Sequence, residues 1–146
     1  MADRLTFINL PVTDIERSKA FYGALDFSFD PKFTDQSCAC MVVSDKSFVM
    51  LIEQDRFTEF LAKPLADVAS TTGSLICVSA EDRGGVDAFA DRALASGGSR
   101  AKDAMDMGFM YGRSFLDPDG HHWEVMWMDS AAIEQCPDEY VPAQQA

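Results

Sequence analysis

The chain has 146 residues, of which 47% are hydrophobic, so it is long enough and apolar enough to fold around a core of its own. Its 12 basic and 24 acidic residues give a net charge of −12. A surface of that sign repels phosphate backbones and anionic lipid, so nucleic acid and membrane surfaces are excluded as expected partners. No apolar run approaches the roughly 20 residues that a membrane-spanning helix needs.

The cysteines and the N-terminus predict a cytoplasmic protein. The four cysteines are Cys38, Cys40, Cys77 and Cys136, and none belongs to a Cys-x-x-Cys pair. Cys38 and Cys40 are two positions apart in a predicted strand, where they share a face and cannot easily bridge each other. Reduced thiols are therefore expected. The first residues also lack the basic and apolar regions of a secretory signal.

The first half of the chain predicts the order strand, helix and three strands. Thr13 and Glu16 have the spacing of a capping box, with Thr13 as the N-cap of the helix. Apolar, β-branched and turn-forming residues mark the other elements. The predicted elements are a strand over 5–12, a helix from Thr13 to Leu25, strands over 27–31, 38–44 and 48–53, and a short helix over 56–63 that stops before Pro64.

The same order returns in the second half. Small and polar residues over 66–73 predict a linker between module one, about 1–65, and module two, about 74–128. The second set comprises a strand over 74–80, a helix around 86–94 that ends at Gly97 or Gly98, a weak strand over 100–105, and strands over 109–116 and 121–128, before an acidic tail over 129–146. The repeated order predicts an internal duplication within one domain, 1–128.

The last two strands flank Asp117-Pro118-Asp119-Gly120, a strong turn signal. If Asp117 pairs with Gly120, Arg113 lies opposite Glu124. The two side chains then form a cross-strand ion pair worth roughly 0.2–1 kcal/mol. A carboxylate that faces a cleft, acting as a base or as the anchor of a ligand amine or hydroxyl, is the alternative for Glu124.

Three segments, 9–22, 48–51 and 116–125, together resemble the vicinal oxygen chelate superfamily, which includes glyoxalase I, bleomycin-resistance proteins and extradiol dioxygenases. The resemblance is greatest to an uncharacterised branch labelled as predicted lactoylglutathione lyases. It implies an α+β fold of two βαβββ modules whose strands form a curved, incomplete mixed-sheet barrel around a cleft. It also implies a homodimer.

Enzymes of this superfamily hold a divalent metal through one ligand from each of four strands. By the resemblance, the four positions correspond to Phe7, Leu51, Leu75 and Glu124. Only Glu124 can donate an electron pair, so the usual metal site is predicted to be incomplete. His122 shares a face with Glu124 and would supply a second ligand only in a non-standard site.

The ligand-binding residues expected from the sequence are Phe7, Asn9, Leu51, Leu75, Tyr111, Arg113, His122 and Glu124, with Glu124 also as the catalytic candidate. Two functions stay open at this point. One is the binding of a small organic molecule in the sheet cleft. The other is a metal-dependent lyase, isomerase or dioxygenase of the glyoxalase type with a rearranged site around Glu124 and His122. A third alternative is an interaction module whose cleft is filled by side chains such as Phe7 and Leu51.

Overall fold

The computed structural model describes residues 2–134. Contacts divide the chain into two compact units, the first ending at Thr71 and the second beginning at Thr72. Cys136, named above among the thiols, lies outside the described residues, as does most of the predicted tail.

Unit 1 is a four-stranded mixed sheet with one long helix against it. Its elements are β1 (Thr6–Val12), α1 (Ile15–Ala24), β2 (Ser28–Asp30), a 3₁₀ turn (Pro31–Phe33), β3 (Cys38–Ser44), β4 (Ser47–Glu53) and α2 (Gln54–Thr58). The strand order is β1-β4-β3-β2, with β1 parallel to β4 and the other pairs antiparallel. Helix α1 contacts β3 and β4, and it buries Phe21 and Tyr22. The two outer strands of this sheet are therefore β1 and β2.

The N-cap of α1 is Asp14, one residue later than predicted. Its carboxylate accepts a hydrogen bond from the backbone N–H of Arg17 at 3.0 Å. Thr13 instead accepts a hydrogen bond from the Arg17 guanidinium through its hydroxyl oxygen, at 2.8 Å. The capping-box prediction was therefore wrong by one residue, because an aspartate at the next position caps an N-terminus at least as well as a threonine.

Unit 2 repeats the same plan. Its elements are β5 (Leu75–Ser79), α3 (Arg83–Ala95), β6 (Ser99–Arg100), β7 (Met105–Asp106), β8 (Met110–Leu116), β9 (His122–Met128) and α4 (Ser130–Glu134). The sheet order is β5-β9-β8-β6, and β7 also pairs with β8. The predicted strand over 100–105 is thus two short strands on either side of a loop. Helix α4 has no counterpart in the sequence predictions.

The hairpin between β8 and β9 is one residue longer than predicted. Asp117 donates its backbone N–H to the carbonyl oxygen of His121, at 2.9 Å, and the Asp117 carboxylate accepts from the backbone N–H groups of Asp119 and His121. Gly120 has a φ of 97°, the left-handed conformation that completes a three-residue loop.

The extra loop residue shifts the whole register. Ser114 now faces Glu124, and Arg113 faces Val125. The predicted Arg113–Glu124 pair was therefore wrong, since successive side chains in a strand point to opposite faces.

The α+β fold of two repeated modules is confirmed. Each unit pairs its first strand in parallel with its last strand and completes the sheet with antiparallel strands. The two mixed sheets are separate, and neither closes into a barrel.

Candidate functional site

One face of the unit 2 sheet is covered by helix α3. Val125 packs there with Val86 and Ala90 of the helix, and Tyr111 and Trp127 border the cluster. The other face, which α3 does not cover, carries the alternate residues of the same strands. Glu124 lies on this open face, in a row with Ser114 of β8 on one side and Cys77 of β5 on the other.

A cavity of about 540 Å³ lies above this row, within the size range of small-molecule sites. Its floor is formed by Gly112, Ser114 and Glu124, and its wall is formed by the loop between β6 and β7. The residues that line it are Arg100, Ala101, Lys102, Asp103, Met105, Gly112, Arg113, Ser114 and Glu124. We refer to it as the Glu124 cavity.

Local hydrogen bonds hold the wall of the Glu124 cavity in place. The Ser114 hydroxyl accepts a hydrogen bond from the backbone N–H of Lys102 at 3.0 Å, which ties the loop to the sheet floor. Arg100 forms an ion pair with Asp103 inside the loop. Gly112 adds no side chain, and a Cβ placed there would meet only ordinary contacts with Val125 and Met126. The floor beside Glu124 has no side chain at this position, and an alanine there would be accommodated.

Glu124 is partly buried, and its carboxylate makes no hydrogen bond or ion pair with any residue of 2–134. Its charge is felt by its strand neighbour Cys77. Burial raises the pKa of the Cys77 thiol, and the negative charge of Glu124 raises it further. The site thus presents a hydrogen-bond acceptor with unused capacity beside a thiol that stays protonated at neutral pH.

Tyr111 and Arg113, both expected in the site, use their polar groups elsewhere. The Arg113 guanidinium pairs with Asp87 at 3.2 Å and with Asp91 at 2.8 Å, both on α3. The Tyr111 hydroxyl donates to Asp87 at 2.7 Å, and this hydrogen bond is the main reason that the pKa of Tyr111 is raised. Arg113 borders the Glu124 cavity, but its charge serves to hold the helix on the sheet.

His122 and Leu75 lie on the same open face as Glu124, one row nearer the hairpin loop, where they pair with each other across β5 and β9. The Nε2 atom of His122 is buried and has no hydrogen-bond partner among residues 2–134. Leu75 is 51% exposed. The structure therefore brings three of the predicted residues to one surface, although only Glu124 reaches the cavity.

The residues expected from unit 1 divide between two faces. Asn9 lies on the side of the sheet that lines a second cavity, and Phe7 shares its face and stacks on Phe48 with ring centroids 5.1 Å apart. Leu51 pairs with Ala39, and both are fully buried. Its neighbour Met50 lines the cavity instead. Leu51 thus lies in the core of unit 1, and its contact with a ligand stays a prediction.

The residues present do not fit the superfamily's four-ligand metal site. Phe7 and Leu75 carry no donor atom, and Leu51 is buried away from Asn9. The open-face alternative, Met50, offers only a thioether, which is a poor ligand for hard divalent ions. Among residues 2–134 there is no group of three or more histidine, cysteine or acidic side chains placed to hold a metal.

A sequence family and several solved structures are similar to this chain. The sequence family described as "Bleomycin resistance protein-like N-terminal" matches residues 4–44. A hypothetical protein from S. aureus is 26% identical, with a TM-score of 0.73 over 87% of this chain and 94% of that one. A glyoxalase-related enzyme from Fulvimarina pelagi is 20% identical, with a TM-score of 0.72 over 86% and 88%.

The protein has the fold of the vicinal oxygen chelate superfamily. A glyoxalase/bleomycin resistance protein/dioxygenase family enzyme from Burkholderia phytofirmans shares the same fold, at 17% identity and a TM-score of 0.72 over 86% of this chain and 98% of that one. No curated protein sequence matches the chain. The resemblance inferred from the three sequence segments is thus confirmed for the vicinal oxygen chelate fold.

Sequence reasoning missed the walls of both cavities. The loop over 100–105 reads as a weak strand, although Lys102 and Asp103 lie there side by side. Arg56 and Phe57 of α2 read as an ordinary short helix. In each case the missing information was which sheet face the segment covers, and local residue patterns do not encode that.

Within residues 2–134, none of the helices has the length and apolar character needed to cross a bilayer.

Proposed function

We propose that the protein binds a small organic molecule in the Glu124 cavity, with the Glu124 carboxylate accepting a hydrogen bond from a hydroxyl or amine group of the ligand. The observation that carries this proposal is a partly buried carboxylate, without a hydrogen bond or ion pair to the described residues, on the floor of a cavity of about 540 Å³. Burial removes part of the water that would otherwise donate hydrogen bonds to a carboxylate. A ligand group that donates a hydrogen bond to this carboxylate compensates for that loss and so binds favourably.

Two of the three cationic side chains around the cavity are already paired, whereas the third, Lys102, is exposed and has no ion pair with residues 2–134. Arg100 is paired with Asp103, and Arg113 is paired with Asp87 and Asp91. These arginines do not neutralise Glu124, because each already has a carboxylate partner. The apolar part of the ligand would contact Met105 and the open floor at Gly112.

The proposal is tested by thermal-shift measurements with benzylamine and benzyl alcohol, each with and without a chelator. Binding to the folded state raises the melting temperature. We expect stabilisation by at least one of the two compounds, no effect of the chelator, and loss of the stabilisation in Glu124→Gln. Glu53→Gln, which changes an exposed carboxylate in unit 1, serves as the matched control and should behave as the wild type.

Two results would contradict the proposal. One is the absence of stabilisation by either compound. The other is a stabilisation that Glu124→Gln leaves intact or that requires a divalent metal.

We also propose that the protein is a cytoplasmic homodimer. Cys38, Cys40 and Cys77 are free thiols, which suits a reducing compartment. The outer strand β1 leaves Phe7 and Ile8 exposed, and Leu5 just before it is exposed as well. An apolar strand edge of this kind is suited to pairing with a second copy of the chain.

A further inference from the structure

Unit 1 contains a second cavity, of about 480 Å³, that is built from that unit alone. Its floor is the open face of the sheet, and its wall is α2 with the turn that follows. The residues that line it are Asn9, Cys38, Met50, Ile52, Arg56, Phe57, Phe60 and Leu61. We refer to it as the Met50 cavity.

The wall of the Met50 cavity is fixed by an ion pair. The Arg56 guanidinium donates to the Asp35 carboxylate at 3.0 Å and to the Ser37 hydroxyl at 2.8 Å, and this joins α2 to the loop before β3. The backbone of the same loop is tied to the sheet, since Glu53 donates its N–H to the carbonyl oxygen of Ser37 at 2.8 Å. These bonds fix the position of α2, which carries the lining residue Phe57, beside the sheet.

The lining offers a ligand no unpaired charge. Arg56 is matched by Asp35, whose pKa is lowered by the hydrogen bonds from the Ser37 backbone and from Arg56, so the Asp35 carboxylate stays negatively charged. Burial raises the pKa of the Cys38 thiol, which is therefore neutral. A charged ligand would lose its hydration here and gain no counter-ion in return.

One neutral polar group is available in the cavity. The Asn9 side chain makes no hydrogen bond with any described residue, and an amide can both donate and accept. Around it are the side chains of Met50 and Phe57, and Phe60 at the rim is 69% exposed. An aromatic face and a flexible thioether are both suited to contact with a planar ring.

We infer that the Met50 cavity is a second ligand site, lined by none of the residues of the Glu124 cavity, which takes an uncharged aromatic molecule with a single hydroxyl or amide group. The ring lies between Met50 and the phenylalanines of the α2 wall, and the polar group bonds to Asn9.

The test uses 2-naphthol as the probe and methionine methyl NMR as the readout. With the methionine ε-methyl groups labelled in the intact chain, Met50 reports on this cavity and Met105 on the Glu124 cavity. We expect 2-naphthol to shift the Met50 resonance and to leave Met105 in place. 2-Naphthalenesulfonate, which has the same ring and a fixed negative charge, should leave Met50 unshifted.

Two matched variants locate the site without disturbing the core. Phe60 and Phe33 are both exposed, at 69% and 64%, and only Phe60 lines the cavity. Phe60→Ser should weaken 2-naphthol binding by roughly threefold to tenfold, the scale of one aromatic contact. Phe33→Ser should leave 2-naphthol binding unchanged.

A third variant tests the polar contact. Asn9→Leu should remove the preference for 2-naphthol over naphthalene.

Three results would overturn the inference: a Met50 signal that does not move, a Phe33→Ser variant that weakens binding as much as Phe60→Ser, or a probe that shifts Met105 alone. The last result concerns the Glu124 cavity and leaves the proposed function standing. The opposite result is also distinguishable. If neither benzylamine nor benzyl alcohol stabilises the protein through Glu124 but 2-naphthol still shifts the Met50 resonance, the proposed function is contradicted and the second site stands.

Discussion

At the scale of single residues, the structure separates charges that serve the fold from one that is available to a ligand. Arg113 is held by Asp87 and Asp91 on the helix side of the sheet, whereas Glu124 lies on the open side. Ion pairs of this exposure stabilise a protein by about 0–1 kcal/mol each. The strand register places Arg113 and Glu124 on opposite faces, and Glu124 has no arginine partner among residues 2–134.

The proximity of Glu124 and Cys77 gives a prediction at this scale. The negative charge of Glu124 disfavours the Cys77 thiolate, and burial disfavours it still more. Glu124→Gln should therefore lower the pKa of Cys77, although burial keeps it above its usual value. The measurement is the pH dependence of the reaction of Cys77 with a disulfide reagent, in a Cys136→Ser background.

The control for this measurement is Glu81→Gln, which neutralises an exposed carboxylate just beyond β5. It should leave the pH profile unchanged. If Glu124→Gln has no effect either, the carboxylate does not face the thiol across the strands.

At the scale of elements, a clamp connects α3 to the strand β7. The Arg83 guanidinium forms two hydrogen bonds with the Asp106 carboxylate, at 2.8 and 2.9 Å, and a third with the carbonyl oxygen of Gly108. It also lies over the rings of Tyr111 and Trp127, 5.1 and 5.3 Å from their centroids. Because β7 ends the loop that walls the Glu124 cavity, this clamp positions the wall.

The clamp predicts a pH dependence of stability. Arg83, with the backbone N–H of Gly108, lowers the pKa of Asp106 from 3.8 to about 2. A carboxyl group with a lowered pKa in the folded state stabilises it above its unfolded pKa, and that contribution is lost as the pH falls through the folded pKa. Wild type should therefore melt at a higher temperature than Asp106→Asn above about pH 4. The difference between the two melting temperatures should disappear near pH 2.

The matched control for this prediction is Asp45→Asn, in the exposed turn between β3 and β4. The difference in melting temperature between Asp45→Asn and the wild type should not disappear as the pH falls towards 2, in contrast to the difference for Asp106→Asn. A constant gap between wild type and Asp106→Asn down to pH 2 would show that the clamp does not depend on the carboxylate charge.

At the scale of the whole molecule, the proposed homodimer depends on the apolar outer edge of unit 1. Ile8→Lys places a charge on β1, where pairing with a second chain would bury it at high cost. In sedimentation velocity we expect the wild type to be a dimer and Ile8→Lys to be a monomer with an unchanged circular dichroism spectrum.

Phe33→Lys is the control for the dimer, because Phe33 is equally apolar and more exposed but lies on the 3₁₀ turn after β2. It should remain a dimer. A wild type that is monomeric at every concentration, or an Ile8→Lys variant that stays dimeric, would remove β1 from the interface.

The sequence alone determined the repeated order of elements, because that order follows from local signals such as the apolar run in 38–44 and the turn Asp117-Pro118-Asp119-Gly120. The resemblance of three segments to the vicinal oxygen chelate superfamily indicated the fold. It also predicted Glu124 as a site residue. Tertiary structure decided which side chains share a face. The left-handed Gly120 lengthened the hairpin loop by one residue, and a shift of one residue moves every side chain of a strand to the other side of the sheet. Arg113 therefore faces the helix, and Glu124 faces an open cavity.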